Sequence, residues 1–163
     1  MTIYKAIFHV CAFFQRLFLV LIYGNRLTIG KKVTWRRRLN IMIANNARIV
    51  IGNNCFFNND CSLNAMNFVS IGDGTILGEN VKIYDHNHKF SNPDIPIKEQ
   101  GFSNGTIYIG EHCWIGSNVV ILKGANIGDN CVIGAGTIIS TDIESGCVVK
   151  NGGNLVIERV RRD

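Results

Sequence analysis

The stretch that decides the fold is Ile109 to Glu144, which reads IGEHCW, IGSNVV, ILKGAN, IGDNCV, IGAGTI, ISTDIE in consecutive blocks of six. Position one is Ile in every block, and position five is Cys, Val, Ala, Cys, Thr, Ile. A period of six is neither the 2 of a half-buried strand nor the 3.6 of an amphipathic helix. Its physical reading is a triangular solenoid, in which six residues make one short parallel strand and a corner, and three such units make a coil. Inward Ile ladders fill the prism, while Gly, Asn and Asp take the left-handed corner conformations that β-branched residues avoid.

Working outward, the phrase returns upstream as IGNNCF, FNNDCS, LNAMNF over 51–68 and, after a two-residue slip, as IGDGTI, LGENVK, IYDHNH over 71–88. Fainter versions lie at Leu27 to Val33 and Ile43 to Arg48. The expected organisation is an N-terminal amphipathic helix over 1–24, an all-β solenoid of parallel strands over 25–150, and a C-terminal tail over 151–163; the left-handed parallel β-helix form of that solenoid is what the resemblance described below implies. One break interrupts the solenoid: 89–106, KFSNPDIPIKEQGFSNGT, holds both prolines of the chain and no hexapeptide phase. Long excursions from compact domains usually serve a function, and this one follows directly on Tyr84-Asp85-His86-Asn87-His88.

Composition narrows the class. The 163 residues are 47% hydrophobic and 18% charged, which excludes disorder as the main state. The net charge of +5 is unevenly placed: residues 1–59 carry nine Lys or Arg and no acid, whereas 60–163 carry eight bases against twelve acids. A +9 arm on a mildly acidic body argues against a uniformly basic nucleic-acid-binding module. Four of the six cysteines, Cys55, Cys61, Cys113 and Cys131, fall at an inward slot of the repeat and read as core filler in a reducing cytosol. No CxxC metal spacing is present.

The N-terminus, MTIYKAIFHVCAFFQRLFLVLIY, places Thr2, Lys5, His9 and Arg16 on one narrow helical stripe, with apolar residues around the rest and Gly24 as the stop. Its apolar runs fall short of the ~20 residues that span a bilayer. Two readings stand: a helix buried against its own domain or an oligomer interface, or a helix lying in a membrane surface with Lys31, Lys32, Arg36, Arg37 and Arg38 toward anionic headgroups.

A histidine at the lip of a rigid solenoid, preceded by a carboxylate and followed by a covering loop, suits a general base. His86 takes that role with Asp85 or a backbone carbonyl fixing its tautomer; His88 is the competitor, and spacing alone does not choose between them or exclude two exposed loop histidines.

These residues resemble a known family. The IGxxxx repeats, the loop after DHNH and the run WIGSNVVILKGANIGDNCVIGAGTIISTDI are similar to the left-handed β-helix, or hexapeptide-repeat, acyltransferases. The branch they match contains galactoside acetyltransferase and the O-acetyltransferases of lipopolysaccharide, capsule and exopolysaccharide. The resemblance covers about residues 43 to 150. It implies a homotrimer with sites between neighbouring subunits, acetyl-CoA as co-substrate and no metal. It also implies direct transfer in a ternary complex, with His86 as the catalytic base and a saccharide as acceptor.

The resemblance further assigns Asn58 to the acceptor, with Asp60 and His88 as additional acceptor-binding groups. Trp114 falls near the pantetheine arm, and Ser117, Gly134 and Ala135 line the coenzyme groove. Lys150 and Arg159, with Arg161 and Arg162, could reach its phosphates. Met66 stands where galactoside acetyltransferase has a second acceptor carboxylate, which argues against a galactoside. The usual AGxPAKxI phrase is replaced by KNGGNLVI at 150–157.

The expected activity is O-acetylation of a bacterial surface polysaccharide or its precursor, in the cytoplasm, with peripheral contact at the inner membrane face. N-acylation of an amino sugar nucleotide and acetylation of an antibiotic remain open. A zinc enzyme like γ-carbonic anhydrase, using His86, His88 and His112, and a non-catalytic scaffold are the readings from other classes.

Overall fold

The computed structural model describes residues 3–151 and 155–159, with side chains over 9–150. A helix, α1, runs Ile3–Tyr23 and ends at Gly24, whose φ of +54° suits the residue without a Cβ. After a 3-10 turn at Gly24–Arg26 the chain winds into a left-handed parallel β-helix with three faces.

The first face stacks Leu27–Ile29, Arg48–Ile51, Phe68–Ile71, Thr106–Ile109 and Asn126–Ile127. The second stacks Thr34–Trp35, Phe56–Phe57, Ile76–Leu77, Trp114–Ile115, Val132–Ile133 and Cys147–Asn151. The third stacks Asn40–Ile43, Ser62–Ala65, Lys82–Tyr84, Val120–Leu122 and Ile138–Ile139. Along the first face, Leu27 pairs with Ile49, Ile49 with Val69, Val69 with Ile107 and Ile109 with Ile127, offsets of 22, 20, 38 and 18 residues. Only the step of 18 has the ideal length, and the last step, Val132 to Val148 on the second face, shortens to 16. The early coils are wider at the corners, which is why their sequence phase is faint.

The prism is filled by ladders such as Trp35, Phe57, Leu77, Ile115, Ile133 and Val149, all buried. Cys55, Cys61, Cys113 and Cys131 are buried free thiols, each turned toward a backbone carbonyl of the next coil 3.1–3.2 Å away. Burial pushes Cys55, Cys61 and Cys113 up to about 11, so they are poor nucleophiles at neutral pH.

The corners correct one expectation. Left-handed φ is taken by Asn54, Asp60, Asn80, Asn118 and Asn130, as the repeat suggests, but also by Lys32, Arg38 and His112. The solenoid imposes the conformation on whatever side chain arrives there, against an intrinsic cost of roughly 1–2 kcal/mol per residue.

The break also differs from the expected 89–106. His86–His88 already pairs antiparallel with Phe102–Asn104, and Thr106 is already on the first face. The excursion is therefore a hairpin rooted at the histidines, closed at its base by the Gly105 N–H donating to the Asp85 carbonyl at 2.7 Å. Its tip, with a 3-10 turn at Ile97–Glu99, is tied by the Gln100 side chain to Asn92 and Ile95. At the other terminus Leu155–Arg159 folds back antiparallel on Cys147–Asn151, so part of the expected tail is strand. Arg161 and Arg162 lie outside the described residues, as does the Arg159 side chain.

The helix has a definite task. In a parallel ladder alternate residues turn their N–H and C=O to the next coil, as Thr34 and Asn40 do in donating to Cys55 and Cys61, and the residues between them, among them Ile29, Leu39 and Ile41, face the open end of the first coil. Side chains of α1 and the turn after it supply donors. Gln15 reaches the Leu39 carbonyl at 2.6 Å, Arg16 that of Ile29 at 2.9 Å, Tyr23 that of Ile41 at 2.9 Å and Arg26 that of Ala44 at 3.1 Å. Arg16, which the sequence places on the narrow polar stripe, thus points into the solenoid end.

Candidate active site

Asp85 follows directly on the third-face strand Lys82–Tyr84 and turns its carboxylate fully into the protein, with 0% exposure. The carboxylate accepts from the backbone N–H of Met66 and of Asn67, both at 2.8 Å, and lies 3.0 Å from Nδ1 of His86. Because the carboxylate can only accept, Nδ1 carries the proton and Nε2 is left as the acceptor. The imidazole side chain is 13% exposed, held at the hairpin root yet reachable. Phe102 stands edge-on to His86 with centroids 5.4 Å apart, and Tyr84 is likewise edge-on at 6.4 Å. This is the geometry of an oriented base in a partly apolar lip.

His88 is exposed and stacks on Phe102 at 4.3 Å without a carboxylate partner among its recorded contacts. The orienting contact falls on His86. His112 sits on the corner between the first and second faces, a different edge from His86. Among the described residues no group of three His, Cys, Asp or Glu side chains is placed to hold a metal.

The remaining candidates fall on another edge, the corner between the second and third faces. There the N–H groups of Asn58, Gly78, Gly116 and Gly134 donate to Leu77, Ile115, Ile133 and Val149, which lines these positions up coil by coil. Ser117 and Ala135 are the next residues along two of these corners, and Lys150, following Val149, continues the row. Glycine is required here: a Cβ on Gly78 would lie 2.5 Å from the Ser117 nitrogen, and one on Gly116 2.6 Å from that of Ala135. The result is a narrow, backbone-lined edge, with exposed Trp114 on the adjoining second face.

Asp60 shares the Asn58 corner but is engaged by Arg38, whose guanidinium holds its carboxyl below the usual range. That places it in a corner ion pair rather than facing open space. Met66 contributes its backbone N–H to Asp85. Sequence reasoning missed Phe102, Tyr84 and the Met66–Asn67 amides. Phe102 could have been found only by pairing HNH with FSN across the loop.

The third face separates the His86 lip from the Asn58–Lys150 edge, so a single chain does not bring the two groups together. A left-handed solenoid with an oriented histidine beneath a protruding hairpin and a glycine-lined edge defines a hexapeptide-repeat protein. The bacterial transferase hexapeptide (six repeats) family matches residues 106–141, and the hexapeptide repeat of succinyl-transferase matches 126–157. Together these two models match residues 106–157, the later coils of the solenoid.

Nodulation protein L of Rhizobium meliloti (strain 1021) is 40% identical over 103 residues, 62% of this chain and 54% of that protein. WbbJ of Escherichia coli (strain K12), provisionally named a lipopolysaccharide biosynthesis O-acetyl transferase, is 27% identical over 108 residues, 62% of this chain and 55% of that one. Among solved structures, a galactoside acetyltransferase in complex with coenzyme A is 30% identical with a TM-score of 0.69, covering 83% of this chain and 64% of that chain. The chain spans about half the length of the curated relatives it matches.

Proposed function

We propose that this chain is an acetyl-CoA-dependent O-acetyltransferase whose acceptor is a sugar hydroxyl of a bacterial surface polysaccharide or its precursor. The observation that carries the reading is the His86–Asp85 pair at the root of the hairpin. In the reaction Nε2 of His86 takes the acceptor hydroxyl proton as the oxygen attacks the thioester carbonyl. The imidazolium then returns a proton to the departing thiolate as the tetrahedral intermediate collapses. No covalent enzyme intermediate is needed, and the buried thiols, with Cys55, Cys61 and Cys113 raised to about 11, offer no alternative nucleophile.

The glycine-lined edge suits a long pantetheine arm, which needs close backbone approach more than side chains. Trp114, Ser117, Gly134 and Ala135 would line it and Lys150, with Arg159, would meet the phosphates; Asn58 would face the acceptor. The separation of this edge from His86 supports a homotrimer with each site shared by neighbours. The names of WbbJ and the galactoside enzyme support a saccharide acceptor, and the use of acetyl-CoA supports reaction in the cytoplasm.

The test is to incubate the protein with acetyl-CoA and a panel of saccharides and to follow free thiol and acetylated sugar. The expected outcome is acceptor-dependent thiol release that falls about 10²–10⁴-fold in His86→Ala, with unchanged thermal unfolding. Near-normal activity in that variant would move the base to His88 or end the mechanism.

A further inference from the structure

We propose that the outward face of α1 docks on an anionic lipid surface and holds the N-terminal end of the solenoid flat against a membrane. The first argument is orientation. Ala12, Gln15, Arg16, Leu19 and Tyr23 face the coil end, because that end needs hydrogen-bond donors. The apolar side chains are left outside: Phe13 is 58% exposed, Phe14 64%, Phe18 62% and Leu21 85%, with Leu17 and Ile22 beside them. A helix facing water carries the opposite polarity, and a continuous exposed patch of this kind marks an interaction surface.

The second argument is attitude. Hydrogen bonds from α1 to Ile29 on the first face and to Leu39 and Ile41 at the third hold its axis across the coil end. Its 21 residues, roughly 32 Å long, therefore lie in the plane of that end, as an interfacial helix lies in a bilayer surface. No helix among the described residues is long and apolar enough to cross a membrane.

The third argument is charge, and it selects the occupant. His9, Ala12, Phe13 and Arg16 border a cleft with Val33, Thr34 and Trp35, so the first half of the helix passes over the strand Thr34–Trp35. Exposed Lys31 and Lys32 lie on the corner before that strand, at the margin of the coil end and bordering Asn53, Asn54 and Asp73 of the next coils, in a segment of 59 residues without an acid. A second copy docking through the same face would set these cations against one another. Anionic headgroups would complement them, and an apolar helix plus basic residues gives the two signals that stable peripheral binding requires.

The experiment is flotation of the full chain with vesicles of phosphatidylglycerol and phosphatidylcholine, and with phosphatidylcholine alone. The protein is expected to float with the anionic vesicles, less so in high salt. Lys31→Gln with Lys32→Gln is expected to weaken the apparent affinity about tenfold or more. Phe18→Asp with Leu21→Asp is expected to abolish flotation at unchanged solution mass. As a second readout, an environment-sensitive dye on exposed Cys11 should shift to the blue on anionic vesicles only. Absence of flotation and of the dye shift in the wild type would overturn the proposal. So would a Phe18→Asp, Leu21→Asp protein that floats normally or falls apart into smaller species, the latter assigning the face to a second copy. Acetyl transfer to soluble saccharide is measured separately, so failure of the catalytic reading leaves this test intact.

Discussion

Asp85 receives two backbone N–H groups from the preceding coil and the imidazole of its own neighbour His86. Met66 and Asn67 come from the end of the third-face strand one coil earlier, so the register of the solenoid aims the carboxylate. Asp85→Asn would turn an amide NH2 toward one of these donors. The expected loss is about 1–3 kcal/mol of stability. The expected kcat falls on the order of 10²-fold while the KM for acetyl-CoA stays unchanged. Calorimetry and steady-state kinetics check the two together; a stability loss with normal kcat would leave Asp85 a structural residue only. The dyad was half legible in the sequence, since Asp precedes His by one position. Which histidine it orients was not, because that depends on where the strand ends and the hairpin begins.

The coils and the hairpin differ in how plainly they are written. Six-residue spacing of Ile reads directly as a strand and a corner because every coil meets the same packing problem. Glycine at the corners has a measurable reason: a Cβ on Gly72 would lie 2.6 Å from the carbonyl carbon of Gly110 in the next coil, with backbone that cannot move aside. Gly72→Ala is expected to cost about 1–3 kcal/mol, read as a lower midpoint in denaturant, with activity retained at low temperature because this corner lies away from His86 and the proposed coenzyme edge. The hairpin has no such repetition. Its pairing of His86 with Asn104 spans a loop held by Gln100 and by the Lys123–Ser103 bond, contacts that no repeating rule implies. The helix was legible as amphipathic, but not which of its faces meets the coil end.

Across the whole molecule, the His86 lip and the glycine-lined edge lie on opposite margins of the third face, and the proposed site forms only where two copies meet. Ala135 is exposed, so Ala135→Trp should fold normally yet raise the KM for acetyl-CoA roughly tenfold or more by filling the groove. Mixing denatured His86→Ala and Ala135→Trp subunits and refolding them together should restore partial activity, since some hybrid interfaces then carry both native halves. Full inactivity of the mixture, with each variant properly assembled, would confine the site to one chain.

The amino-acid sequence determined the solenoid, the strand-and-corner unit of its coils and the inward place of its cysteines, because these follow from a local rule repeated every six residues. It also supplied His86 and Asp85 as neighbours. Tertiary structure decided what no local rule contains: that the Met66 and Asn67 amides aim the carboxylate, that Phe102 returns to flank the imidazole, and that the corner residues Asn58, Ser117, Ala135 and Lys150 line up though far apart in sequence. It decided the helix as well. The open carbonyls of the first coil require donors, so Gln15, Arg16 and Tyr23 turn inward and the apolar side chains are left facing out.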